Sequence, residues 1–124
     1  MITTRSADEL HLDLAQFRGT EHYYRTHPGL LATDGAKYLA DEAGAYWLFD
    51  LVSGVLPKIT DEFAMLELTA ATDRRAAVRI HDGREPETTY HRQEIARTDF
   101  PLPSITLYIQ QDRRDWVVLL SSEY

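Results

Sequence analysis

Five histidines, twenty carboxylates and no cysteine bound the chemistry open to this 124-residue chain. Thiolate metal sites, disulfides and cysteine nucleophiles are excluded. Zinc sites draw histidine ligands from tight spacings such as H-x3-H, joined by a carboxylate or thiolate. Here His22 and His27 lie five positions apart beside Glu21, His11 and Asp13 form an H-x-D, and His81 and His91 stand alone. None of these is a distinctive ligand pattern, so no metal is expected. The chain lacks a G-x-S-x-G turn and a glycine-rich phosphate loop, which removes the usual signs of a serine nucleophile or nucleotide site. Asp34, Asp50 and Asp99 are the carboxylates from which a paired-acid hydrolase would be built. Twenty acids make such a triple easy to find by chance, and no cofactor is expected.

The amphipathic rings say more. Tyr23 and Tyr24 stand beside Arg25, just before the Pro28-Gly29 turn. Tyr46 and Asp50 are the polar marks on the otherwise apolar run AGAYWLFDLVSGVL, Ala43 to Leu56. Tyrosine is enriched at recognition surfaces because it joins a large apolar ring to a polar handle with few rotors. Tyr23, Tyr24, Arg25, Tyr46 and Asp50 are therefore the candidate partner-contact residues. Trp47 and Trp116 read as core.

Those residues must be positioned by a fold of one domain, residues 1–124, since domains commonly run to about 100–150 residues. Hydrophobic and charged fractions of 44% and 27% are those of an ordinary globule. No apolar run approaches the roughly 20 residues that cross a bilayer, and the N-terminus lacks a signal-peptide core, so a cytoplasmic chain without a membrane partner is expected. A net charge of -7 argues against direct nucleic-acid binding. Acids and bases alternate, as in Asp112-Arg113-Arg114-Asp115, so an acidic decoy for DNA is the lesser reading.

A first helix is expected from Ala7 to Phe17, capped by Ser6 with Glu9 as its capping-box partner. Leu10, Leu14 and Phe17 make its apolar stripe. The segment Glu21 to Gly29 reads as a short extended piece and a loop. Thr33 or Asp34 then caps a second helical region, about Gly35 to Val55. A helical wheel at ~100° per residue places Tyr46, Asp50, Ser53 and Gly54 on the only polar arc of its second half. Asp50 is thus expected to meet water. The wet side changes at Ala43-Gly44-Ala45, which calls for a bend at Gly44 or packing on both sides.

Beyond Glu62 the period becomes two. Strands are expected at Phe63–Thr69, Ala76–His81, Thr88–Ile95, Ile105–Ile109 and Trp116–Leu120, with a turn at Asp82-Gly83. The prolines of Phe100-Pro101-Leu102-Pro103 exclude a regular ladder there. The predicted architecture is α+β, with two N-terminal helical regions packed on one face of a mainly antiparallel sheet of about five strands.

Several ordered blocks resemble a family of small uncharacterised bacterial proteins carried on plasmids, phages and other mobile elements. They are Phe17-x-Gly19-Thr20-x-x-Tyr23-Tyr24, Thr33-Asp34-Gly35-x-x-Tyr38-Leu39-Ala40, Ala43-Gly44-Ala45-Tyr46-Trp47-Leu48-x-Asp50, Thr98-Asp99-Phe100-Pro101-Leu102-Pro103 and the Ser122-Glu123-Tyr124 ending. The family has no assigned catalytic residues. Its setting implies accessory work such as interference with host defence. Together with the aromatic and arginine content, this gives the expectation of a non-catalytic protein-binding module, an inhibitor of anti-CRISPR or anti-restriction type that occludes a protein partner. The alternative is a small enzyme or ligand-binding domain with its pocket between helices and sheet. A homo-oligomer paired through a sheet edge is a third reading.

Overall fold

Alternating burial along Phe63–Ala70, where Ala64, Leu66 and Leu68 are fully buried, marks the strand from which the sheet is built. The computed structural model describes residues 7–124. Its helices are α1 (Ala7–Leu14), α2 (Asp34–Ala43) and α3 (Tyr46–Val55). Its strands are β1 (Tyr23–His27), β2 (Leu30–Thr33), β3 (Phe63–Ala70), β4 (Ala76–His81), β5 (Thr89–Ile95), β6 (Ser104–Asp112) and β7 (Asp115–Leu120). They form one sheet in the order β1-β2-β7-β6-β3-β4-β5. All neighbours are antiparallel except β2 and β7, which run parallel with Leu30 opposite Trp116 and Ala32 opposite Val118.

This corrects the expected five-stranded antiparallel sheet with two helical regions. Among the described residues the sheet is seven-stranded and mixed, and there are three α-helices. The two extra strands are short and carry little of the period-two signal. β1 is an edge strand whose Tyr23, Tyr24 and Arg25 are all exposed, so it shows no apolar alternation. β2 has only four residues, LLAT, three of them buried, as suits an internal strand covered on both sides.

The long helical region divides at Gly44. That residue is left-handed (φ 62°), its N–H bonds to Ala40 O, and Ala45 N bonds to the same carbonyl at 3.0 Å. This is the Schellman-type stop that glycine makes without steric cost. Ala45 is then buried and α3 sets off in a new direction, which is why the wet side changes over there. Thr33 caps α2, its hydroxyl accepting Ala36 N at 3.2 Å. The first helix spans Ala7–Leu14 rather than reaching Phe17, with Ser6 outside the described residues.

Leu10, Leu39, Leu48 and Val52 from the helices meet Leu66, Ile80, Leu107 and Val118 of the sheet in one core. Burying such side chains is worth about 1.5–3 kcal/mol each. Both edge strands reach α3. His27 of β1 bonds Asp50, and His91 and Gln93 of β5 line a cleft with Trp47 and Asp50. A flat sheet would hold its outer strands roughly 29 Å apart, at ~4.8 Å per strand step. The sheet therefore curls about α3, in keeping with the twist of its strands.

Candidate functional site at the β1 edge

β1 follows a corner of chain, Thr20 to His22, that is fixed by the start of α2. Asp34 at the start of α2 accepts the backbone amides of Glu21 (2.8 Å) and His22 (3.4 Å), while its own amide donates to Thr20 Oγ1 at 2.9 Å. Hydrogen bonding from the Glu21 amide, chief among several, holds the Asp34 carboxyl below the usual carboxylate range. The turn at Gly29 (φ 79°) then sends the chain back into β2.

Alternation along β1 sends Tyr23 and Arg25 to the sheet face away from the helices and Tyr24 toward them. Tyr23 is 56% exposed. Arg25 forks onto Asp115 of β7 at 3.1 and 3.3 Å. On the other side Lys37 of α2 lies over the Tyr24 ring, 5.2 Å from its centroid, and pairs with Asp41 at 2.8 Å. The Tyr46 hydroxyl donates to the same Asp41, and its ring meets Phe49 edge-on at 5.8 Å. Asp50 then bonds His27 Nε2 at 2.7 Å, with His27 Nδ1 3.2 Å from Thr26 Oγ1. Asp50 is 73% exposed, the wet carboxylate its wheel position predicts.

The five sequence-selected residues thus lie along one margin of the molecule. Tyr24, Tyr46 and Asp50 share its helix side, and Tyr23 and Arg25 its opposite face. Lys37, Asp41 and His27 connect the helix-side residues; sequence reasoning weighed His27 only as a metal ligand and did not select Lys37 or Asp41 as contacts, although their i,i+4 spacing is legible as a helix-face pair. Hydrogen bonding to Asp41 raises the titration of both Lys37 and the Tyr46 phenol. What remains is a set of rings beside a strand edge with no pairing neighbour, an arrangement suited to recognition.

The residues weighed for catalysis do not converge. Asp34 is committed to amides, Asp50 to His27, and Asp99 lies 3.4 Å from Arg74 in another hydrogen-bonded neighbourhood. Asp13 accepts the Tyr38 hydroxyl at 2.9 Å, and His22 lies 3.8 Å from Asp34. Among the described residues no group of three or more histidine, aspartate or glutamate side chains is placed to hold a metal ion. Likewise, no helix among them is long and apolar enough to cross a membrane. A cleft of about 440 Å3 lies between α3 and β5, lined in part by Trp47, Asp50, Lys58 and His91.

Fold and site together define an α+β protein: a curled seven-stranded sheet around three helices, with an aromatic margin at one edge. The chain belongs to a family of unknown function (DUF6876), whose model matches residues 8–124. No curated protein matches it. Its structure is similar to a crystal structure of a protein of unknown function from Enterococcus faecalis, at 15% identity and a TM-score of 0.46, covering 83% of this chain and 98% of that one.

Proposed function

We propose that the chain is a non-catalytic module that binds a protein partner along the margin formed by β1 and the start of α3. One observation carries this reading. Tyr23, Tyr24 and Tyr46, three of the large hydrophobic side chains left exposed among the described residues, gather beside the unpaired edge of β1. A strand edge supplies main-chain hydrogen bonds and the rings supply contact area at low entropic cost. The finer reading is a component of mobile elements that occludes part of a host-defence system, of the anti-CRISPR or anti-restriction kind. It rests on the resemblance of the sequence blocks alone.

Phage plating on hosts carrying a restriction or CRISPR system tests that finer reading. Expression of the chain is expected to raise plating, and the Tyr23→Ala/Tyr24→Ala/Arg25→Ala variant to abolish the gain. If the variant protects as well as the wild type, the margin is not the contact surface. Absence of any gain from the wild type across such systems removes the host-defence reading.

A second reading, a small-ligand domain, draws support from the α3–β5 cleft, whose volume lies within the usual range of ligand sites. Leu48 and Val52 of α3 pack into the core, so the site would be the outward side of α3, where it faces the β5 edge. A ligand screen by thermal shift, in which Trp47→Ala or Lys58→Ala cancels any stabilisation, separates the two.

A further inference from the structure

His81, the last residue of β4, is 5% exposed on the sheet face away from the helices, under the β4–β5 loop. The Gly83 amide donates to its Nδ1 at 3.0 Å. Nδ1 is therefore unprotonated, and the neutral ring carries its proton on Nε2. Nε2 is 3.2 Å from Glu67 Oε2 of β3 but not aligned for a hydrogen bond, leaving a buried donor unsatisfied. Such a group is costly to bury. Meanwhile Glu87 Oε1, from the loop, lies 3.5 Å from Nδ1, the nitrogen that Gly83 already occupies.

Nδ1 thus faces two neighbours with opposite requirements. Gly83 N–H needs it bare, and Glu87 needs it protonated. The other charges around the ring set the balance. Arg79 of β4 pairs with both Glu67 and Glu87, the latter at 3.0 Å. Arg92 of β5 stands opposite Arg79 in register, exposed. In the loop, Asp82 accepts the amides of Arg84 (3.1 Å) and Thr88 (3.0 Å), and Arg84 pairs with Asp61 at 2.5 Å. Two carboxylates against the one clamped guanidinium leave a surplus negative charge beside the neutral ring. A proton on His81 would cancel it.

We propose that His81 is a proton-operated latch for the β4–β5 loop. Neutral, it holds the Gly83 amide and keeps that left-handed glycine (φ 73°) close over Met65, where a Cβ would sit 2.8 Å from Sδ. A proton taken from solvent adds to Nδ1, directs the two ring N–H groups to Glu87 and Glu67, and expels the Gly83 amide. The loop that carries Arg84 and Glu85 on the surface is then released at its first turn.

The test is a pH titration of the full labelled chain by NMR, from about pH 8 to about pH 5, where histidine charge changes fall. The Gly83 amide shift is expected to follow the His81 ring signals with one midpoint. Its hydrogen exchange, corrected for intrinsic rate, should quicken about tenfold on the acid side as the bond is lost. Asp82 and Glu67 do not confuse the reading. Asp82 is held below the usual carboxylate range chiefly by the Thr88 amide, and Glu67 chiefly by Arg79. Glu87→Gln, an exposed-loop substitution that spares the buried ring, is expected to move the shared midpoint to lower pH. The latch is refuted if the Gly83 amide stays still while His81 titrates, if His81 holds no proton across this range, or if Glu87→Gln leaves the midpoint unchanged.

Discussion

The Glu123 carboxylate, in the turn after β7, accepts the backbone N–H of Gly35 at 3.0 Å. Its other oxygen accepts the Thr33 hydroxyl at 2.6 Å and the Leu120 amide at 3.0 Å. The C-terminal turn thereby supplies an acceptor to the first turn of α2, where free amides need one. The approach is close enough that a Cβ on Gly35 would meet Glu123 Oε1 at 2.5 Å and Leu120 Cδ1 at 2.6 Å. Gly35→Ala, stabilising in an open helix, should here cost about 1–3 kcal/mol. Urea unfolding monitored by tryptophan fluorescence measures it, and a variant as stable as the wild type contradicts this account of α2.

Gly44 carries a different constraint. Nothing lies within 4 Å of a Cβ built there, so the obstacle is its φ of 62° and not space. Gly44→Ala should lower stability by about 1 kcal/mol, and Gly44→Asn by less, because asparagine tolerates the left-handed region. Melting temperatures of the two variants should rank in that order.

Acid sensitivity should pass through Asp34. Its folded carboxyl titrates below the unfolded value of about 3.9, so its contribution is complete above that pH. It is lost as pH falls through the lower folded value. Urea midpoints measured from about pH 6 down to about pH 3 should therefore decline, and Asp34→Asn should flatten the decline. An unchanged acid limb in that variant would locate the sensitivity elsewhere.

The margin at β1 permits a clean separation of binding from folding. Tyr23 is largely exposed, and Arg25–Asp115 is a surface pair at 3.1 Å. Tyr23→Ala should change unfolding free energy by less than about 0.5 kcal/mol, and Arg25→Ala by no more than about 1 kcal/mol. Circular dichroism melts check this. A collapse in either would mean that these side chains hold the hairpin together, and lost binding would then say nothing about contact.

Period-two alternation made β3 and β4 legible, with Ala76–His81 placed at its observed bounds, because each buries one face against the helices, while β7 showed as a continuous apolar run buried on both faces. β1 was legible only as a short extended piece outside the sheet, and β2 escaped, for the opposite reason. An edge strand with exposed Tyr23, Tyr24 and Arg25 has no buried face to record, and four residues of β2 are too few to show a period. The switch of polarity near Gly44 was visible in the sequence, but two outcomes fitted it until the left-handed cap decided for separate helices. At the site, ring type singled out Tyr23, Tyr24 and Tyr46. Their connection through Lys37 and Asp41 depends on α2 lying beside β1, which no local pattern encodes. Thr33 and Glu123, from the Thr33-Asp34-Gly35 and Ser122-Glu123-Tyr124 blocks, stand 90 positions apart, yet they meet at one helix terminus.

The parallel pairing of β2 with β7 also bears on how the chain reaches its native state. Thr33 Oγ1 lies 3.4 Å from Val118 O across 85 positions of sequence, beside the ladder that joins the two strands. During synthesis β1 and β2 emerge first of the described strands and can close their hairpin, but β7, which sutures them to the rest of the sheet, follows all the others. High contact order of this kind slows folding, since loop closure must precede the contacts that reward it. Until β7 emerges, the nascent chain carries Leu30 and Ala32 without the strand that pairs them into the sheet. Joining of the β1–β2 hairpin to the rest of the sheet therefore waits on the synthesis of β7.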